Sequence, residues 1–379
     1  MRVLILANID LGLYKFRREL LEELAKHNEV FFCVPNGEFV AAIEKIGCRF
    51  IPCTLLDRHG TNPVRELKLL RFYSDILREI KPDIVFTYTI KCNAYGGLAC
   101  AKRNIPYVAN VTGLGTAVEN GGLMQKITLT LYKLGLRKAQ RVFFQNEENR
   151  DFMLKRGVVR GAYDILPGSG VNLEQYSLCP YPKGETVDFV FVARVMREKG
   201  IDQYLEAAKE IRNRHPETRF HIYGFCEQDY ENTLKELEEK GIICYHGLVA
   251  DMAPVYRMAA CTVHPTYYPE GMSNVLLESC ASGRPVITTD RPGCREIVED
   301  GVNGFLVREK DSADLVEKIE KFLSLSREQR RQMGLHARAK VEREFDREIV
   351  IDAYLREIHR VREERRTRES SGKQPPAAG

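Results

Sequence analysis

Short, unbroken apolar runs separated by amphipathic stretches set the character of this chain. Residues 3–7 (Val-Leu-Ile-Leu-Ala) are apolar at every position rather than at every other one, the pattern of a strand covered on both faces of a parallel sheet. The spacing then predicts a helix over 14–27, a strand over 30–34, a helix over 39–46, a strand over 49–53 and a long helix over 64–80. Pro82 leads into a strand over 84–88, residues 91–97 open a helix, and strands follow at 107–109, 142–145 and 163–166. The pattern restarts with a strand at 188–193. After it come a helix over 203–212, a strand over 219–223, a helix over 230–239 and a strand over 242–246. A short helix at 254–259, a strand at 261–264, a helix at 275–281 and a strand at 285–289 complete the series. Residues 312–366 read as helical and highly charged. This alternation predicts an α/β fold of two doubly wound, Rossmann-like halves, each a parallel sheet with right-handed crossovers.

At 379 residues the chain is longer than one hydrophobic core normally supports, which agrees with two domains. The expected division is a first domain over 1–172, a linker over 173–186 in a Pro- and Gly-rich neighbourhood, and a second domain over 187–345. A last helix over 346–366 and a frayed, disordered tail over 367–379 follow. Two such halves of similar size imply a cleft between them.

Charge narrows the partners. A formal net charge of +4 is too small to argue for nucleic acid. The 11 cysteines are odd in number, dispersed and never in a CxxC pair, which fits reduced thiols in a cytosolic protein better than disulfides or zinc. The apolar run at 3–7 is too short for a signal peptide and is ended by Asn8 and Asp10. No apolar stretch approaches the ~18 residues that span a bilayer, so any membrane contact is expected to be peripheral. Residues 123–138 combine Leu, Ile, Met and Tyr with Lys126, Lys133, Arg137 and Lys138. That pattern suits a basic amphipathic helix on anionic lipid, and equally a helix packing its apolar face on the sheet with its cations in water.

Ligands of doubly wound sheets bind beyond the carboxyl ends of the strands. In the first half that rule selects the loops 8–13, 88–93 and 110–116, with Gly12, Lys91, Asn93, Asn110, Thr112 and Gly113 as candidate contacts. In the second half it selects Arg194 and Lys199 after the first strand, a guanidinium fork and an ammonium point charge suited to a diphosphate. It also selects 268–278, where Glu270 precedes a helix start at Gly271-Met272-Ser273-Asn274 and Glu278 lies on the helix. Ser273 or Asn274 can cap that helix, whose free N–H groups and positive dipole end favour phosphate. The flanking carboxylates suit sugar hydroxyls, whose protons they accept. Phosphate between hydroxyls describes a nucleotide sugar. No Asp-x-Asp triplet, HExxH, GxSxG, P-loop or GxGxxG fingerprint accompanies these residues, so neither a carboxylate-held metal nor a dinucleotide is expected. His246 and His264 lie at strand ends without an evident carboxylate partner, and core or rim roles are expected of them.

Taken together, Glu270 through Glu278 resembles the E-x7-E signature of retaining glycosyltransferases of family 4, which have the GT-B fold. Arg194 with Glu198-Lys199-Gly200 resembles that family's R-x-x-x-E-K-G segment, and 290–297 and 301–307 resemble its later landmarks, with Cys294 where a small residue is more usual. The resemblance covers the chain to about residue 360. It implies that Arg194 and Lys199 neutralise the donor diphosphate, that Glu270 binds sugar hydroxyls and Glu278 the ribose, and that backbone amides at 271–274 cradle the phosphate and hexose. It also implies that the final helix crosses back to the first domain, with closure hinging at the linker and near 344–347. In the first half, 88–93 and 110–115 are similar to transferases that extend undecaprenyl-diphosphate-linked sugars in capsule, exopolysaccharide or N-glycan assembly. Many of these have a histidine where this chain has residues around 88–91, and Lys91 is expected to meet the acceptor diphosphate instead.

The expectation is therefore a retaining glycosyltransferase without metal or other cofactor. It would move a hexosamine or hexose from a UDP-sugar to a polyprenyl-diphosphate-linked saccharide at the cytoplasmic face of a membrane. The helix at 123–138 would touch anionic lipid. A UDP-sugar 2-epimerase of the same fold and a non-catalytic nucleotide-sugar-binding subunit are the alternatives.

Overall fold

The computed structural model describes residues 1–56, 62–119 and 121–370. Two compact units emerge, Met1–Ser169 together with the chain from Glu348 onward, and Gly170–Arg347. The first is built on seven strands, β1 (Arg2–Leu6), β2 (Glu29–Val34), β3 (Arg49–Pro52), β4 (Ile84–Tyr88), β5 (Tyr107–Val111), β6 (Arg141–Phe144) and β7 (Tyr163–Ile165). They lie in the order β3-β2-β1-β4-β5-β6-β7, and every pairing is parallel. The unbroken apolar run of β1 has its reason here. Val3 and Ile5 face helices Asp10–His27 and Arg347–Ser370, and Leu4 and Leu6 face helix Pro63–Ile80 on the other side.

Two expectations change in this unit. The first helix begins at Asp10, four residues earlier than its spacing suggests, because Asp10 is buried and accepts the Phe39 N–H at 2.7 Å; Gly12 is therefore in a helical turn. Residues Thr367–Ser370 continue the last helix, with Thr367 Oγ1 donating to the Glu363 carbonyl at 3.0 Å. The rest of the expected tail, 371–379, is outside the described residues. That last helix belongs to the first unit: Tyr354 packs on Phe86, Tyr88 and Phe143, and Arg141 pairs with Glu357 at 2.7 Å.

Helix Gly122–Leu136 turns Thr128, Tyr132, Gly135 and Leu136 inward. Its depth is set by backbone contact, since a Cβ at Gly135 would stand 2.4 Å from the Asn93 carbonyl oxygen and one at Gly97 2.1 Å from that of Gly135. Leu123, Met124, Ile127 and Leu134 are left exposed.

The second unit has strands β8 (Val187–Val192), β9 (Thr218–Tyr223), β10 (Cys244–Tyr245), β11 (Cys261–His264), β12 (Val286–Thr289) and β13 (Gly304–Val307), ordered β10-β9-β8-β11-β12-β13 and parallel throughout. β13 is an addition to the expected strands; four residues between turns carry too little pattern to stand out. The stretch 173–186, expected as a linker, packs into this unit, with Tyr176 and Tyr181 buried. Its anchor is Arg284, fully buried, whose five N–H groups all donate to carbonyls: Nε to Tyr256, Nη1 to Cys179 and Gly283, Nη2 to Pro180 and Arg257, at 2.8–3.1 Å. The chain enters this unit at Gly170 and leaves it at Arg347, and the two passages are hydrogen-bonded side by side, Val171 N–H to the Phe345 carbonyl and Arg347 N–H to that of Val171. No helix among the described residues is long and apolar enough to cross a membrane.

Candidate active site

The loops that follow β8, β11 and β12 meet at one edge of the second sheet. The turn Arg197–Lys199 ends at Gly200, where φ is +78 and a Cβ would stand 2.1 Å from the Pro265 carbonyl oxygen. Only glycine lets the turn lie flat on the β11 exit. The Tyr267 N–H then donates to the Glu198 carbonyl at 2.9 Å. The third loop closes in the same way, as Gly293 at φ +86 brings its carbonyl to the Ser273 N–H at 2.8 Å.

This packing brings Lys199 against Glu270 in an ion pair, with side chains 12% and 13% exposed. Arg194 pairs with Glu227 from the loop after β9. The Arg194 guanidinium and the Lys199 ammonium both lie over the Tyr268 ring, 5.4 and 4.8 Å from its centroid. Burial alone would push the Glu270 carboxyl up, but Lys199 and the neighbouring His264 together outweigh it and hold Glu270 well below the usual carboxylate range. His264, at the end of β11, is 1% exposed, and its Nε2 is 3.6 Å from Glu270 Oε1, beyond hydrogen-bond reach. Burial pushes that imidazole down, so it is neutral at pH 7.

Ser273 is the cap residue of helix Asn274–Ala281, yet its hydroxyl makes no capping bond and is buried without a partner. The first-turn amides of this helix begin where Glu270 and Gly271 end. Met272 turns its side chain into the core, which leaves only its backbone for a ligand. Glu278, one turn along, accepts the Tyr256 hydroxyl at 3.0 Å, and Tyr256 is packed edge-on against Tyr176.

Arg194, Lys199, Glu270, Gly271, Ser273, Asn274 and Glu278 are thus gathered at one sheet edge. The six residues expected to contact a ligand in the first unit are not equivalent. Asn93 and Asn110 are buried and spent on the fold. Asn93 accepts the Thr87 hydroxyl at 2.6 Å and donates to the Asn110 carbonyl at 2.8 Å. Asn110 accepts the Tyr354 hydroxyl at 2.5 Å and donates to the Thr87 carbonyl at 3.2 Å. Lys91 pairs with Glu66 at 2.5 Å, both largely shielded, rather than standing open to an incoming phosphate. Gly12, Thr112 and Gly113 are part-exposed.

Glu227 and His264 were not signalled as members of the site, and Tyr268 lay in the selected stretch 268–278 with no role assigned to it; nothing in their spacing marks contact. Of the two histidines set aside earlier, His246 has a partner. His246 Nε2 meets His221 Nδ1 at 3.0 Å, and His221 Nε2 meets Asp188 at 3.0 Å. Among the described residues no group of three or more His, Cys, Asp or Glu is placed to hold a metal ion. Two cations, a helix N-terminus and two carboxylates fit a phosphate flanked by hydroxyl groups.

Residues 181–340 match the family model described as glycosyl transferases group 1, and residues 12–168 match the glycosyl transferase 4-like domain. A Campylobacter jejuni protein, N,N'-diacetylbacillosaminyl-diphospho-undecaprenol alpha-1,3-N-acetylgalactosaminyltransferase, is 25% identical over 95% of this chain and 99% of its own length. The Staphylococcus aureus capsular polysaccharide biosynthesis glycosyltransferase CapM is 30% identical over 48% of this chain and 50% of its own. Among solved structures, Anabaena HepE in complex with UDP and glucose superposes with a TM-score of 0.75 at 16% identity, covering 94% of this chain and 99% of that one. A Rickettsia africae glycosyltransferase superposes at 0.77 and 17% identity, over 95% and 98%. The fold is therefore GT-B.

Proposed function

Because this chain belongs to the glycosyltransferases, with the 4-like domain in its first half and the group 1 domain in its second, we propose that it transfers a hexosamine or hexose from UDP-sugar to a polyprenyl-diphosphate-linked saccharide, with retention at the anomeric carbon. The observation that carries this reading is the Lys199–Glu270 pair set beside Arg194 at the start of helix Asn274–Ala281. Arg194, Lys199 and the helix amides neutralise the diphosphate, so the leaving group needs no metal. Glu270 receives sugar hydroxyls, and Glu278 receives the ribose. The bond from the anomeric carbon to the phosphate oxygen breaks as the bond to the acceptor oxygen forms on the same face. The acceptor's proton passes to the departing phosphate oxygen.

The lipid-linked acceptor is supported by the relative's name and by the exposed side of helix Gly122–Leu136. Leu123, Ile127 and Leu134 stand in one stripe at i, i+4 and i+11, with Met124 adjacent. Lys126, Lys133 and Arg137 run beside them, also exposed. An apolar stripe flanked by cations suits the headgroup boundary of an anionic bilayer, at the cytoplasmic face.

Nucleoside-diphosphate release is the test, measured over a panel of UDP-sugars with and without a polyprenyl-diphosphate sugar. Acceptor-dependent release with an α-linked product from an α-linked donor supports the reading. A 2-epimer formed without acceptor, or no turnover on the whole panel, overturns it. In the same assay Glu270→Gln is expected to lower kcat more than donor affinity, and Glu278→Gln to do the reverse. Equal loss of affinity alone in both variants would sink that division. Replacing Leu123 and Ile127 by Glu is expected to weaken binding to phosphatidylcholine–phosphatidylglycerol vesicles by more than tenfold. Fully burying one such side chain contributes about 1.5–3 kcal/mol, and tenfold needs about 1.4. Turnover of a short-chain, water-soluble acceptor should be unchanged.

A further inference from the structure

His264 is an expensive residue to keep. It is 1% exposed, and both ring nitrogens are buried without a hydrogen-bond partner, although a buried polar atom without a partner is costly. Its backbone is fixed, with the Thr288 hydroxyl donating to the His264 carbonyl at 2.7 Å. Its ring faces one carboxylate, 0.1 Å beyond the usual limit of contact, because Glu270 Oε1 at 3.6 Å leans toward Lys199. One ammonium therefore holds Glu270, and, on the reading proposed above, the same ammonium must neutralise a diphosphate.

We infer that His264 is the positioning residue that receives Glu270 when Lys199 is drawn to the donor. As the ammonium turns to the phosphates, Glu270 loses much of its counter-charge inside a shielded site. A shift of under an ångström toward His264 brings Oε1 into hydrogen-bond distance of Nε2, whose N–H is otherwise unused. The neutral imidazole donates, Glu270 stays ionised with one oxygen held and the other free for a sugar hydroxyl, and the orphaned nitrogen is satisfied. The ion pair of the unliganded site and the hydrogen bond of the loaded site thus alternate on one carboxylate. The remaining groups facing this point do not compete. Cys294, from the loop after β12, has a thiol that burial pushes up and keeps neutral. Arg194, across Tyr268, is paired with Glu227.

The role is tested by the pH dependence of turnover at saturating donor. In wild type Glu270 remains ionised through the acid range in the loaded enzyme. His264→Leu removes the donor, so the acidic limb of kcat should move up by one pH unit or more. The KM for the nucleotide sugar should change less than threefold at pH 8, where Glu270 is ionised in either protein. His264→Gln, which restores an N–H near the Nε2 position, should return the limb toward wild type. A Leu variant whose kcat falls equally at all pH values, or a Gln variant no better than Leu at low pH, would overturn the inference. If Leu does not fold, His264→Met, which fills the ring's space without an N–H, takes its place under the same criteria. An enzyme with no transferase activity in wild type contradicts the functional reading itself, whereas active wild type with unshifted variants contradicts only the role of His264.

Discussion

Lys199→Met is expected to lower kcat by roughly 10²–10³, the usual consequence of removing one preorganised charge from a site where charge develops. The same substitution should destabilise the second unit by about 3–5 kcal/mol, because it strands the largely shielded Glu270 carboxylate without its partner. The two effects separate in the double variant. Adding Glu270→Gln removes the stranded charge and should recover much of the stability, while turnover remains at the level of Lys199→Met or below. Denaturation curves and initial rates measured on the same preparations check both. The sign with pH follows from the direction of the shift. Lys199 depresses the Glu270 pKa in the folded protein, so the pair stabilises at neutral pH, fully above the unfolded carboxylate value. That contribution is lost as pH falls through the depressed folded value. Lys199→Met should be most destabilised relative to wild type near neutrality, and the gap should close in acid. A variant with wild-type turnover would remove Lys199 from the chemistry.

Arg284→Met should cost about as much stability, with no direct part in the reaction. The guanidinium gives all five of its N–H groups to carbonyls from three separate stretches, 179–180, 256–257 and 283. A methionine of similar length fills the space but leaves those buried acceptors short of donors, at about 1–3 kcal/mol for each that water cannot reach. Arg284→Lys offers at most three donors from one point and should fall between. Cleavage by protease within 173–186 should accelerate in both variants, since two of the carbonyls belong to that segment. An unchanged denaturation midpoint in Arg284→Met would show that the five bonds are replaceable.

Arg284 also illustrates what was legible in the sequence. Beside Pro285 in a turn, it reads as a solvated cation; the carbonyls it serves lie up to 105 residues away and leave no local trace. Strands were legible because burial on both faces of a parallel sheet demands apolar runs, and 3–7, 84–86 and 189–193 supply them. β13 was not, since four residues between turns hold too little pattern. The donor-side group was legible because E-x7-E sets two carboxylates around a helix start, and Arg194 and Lys199 follow a strand end by position alone. Asn93 and Asn110 misled for the opposite reason. An asparagine at a strand exit looks like a ligand contact, and only the approach of Tyr354, 244 residues after Asn110, shows that its amide is committed. The Lys91–Glu66 pair was hidden in the same way, by a partner on a helix with its own amphipathic explanation.

The return of Tyr354, Ile358 and Val361 to the first unit also fixes an order of events at the ribosome. Residues 170–347 are contiguous and can close their sheet as soon as they have emerged. The strands of the first unit precede them, yet until residue 361 has been made the sheet face at Phe86, Tyr88 and Phe143 lacks its cover, and Asn110 lacks its hydroxyl partner. The part synthesised first is therefore the part completed last. During that interval a partly built Rossmann-like layer carries an open apolar face, the kind of surface chaperones hold. A stop codon anywhere before Tyr354 would damage the end of the protein that was translated first.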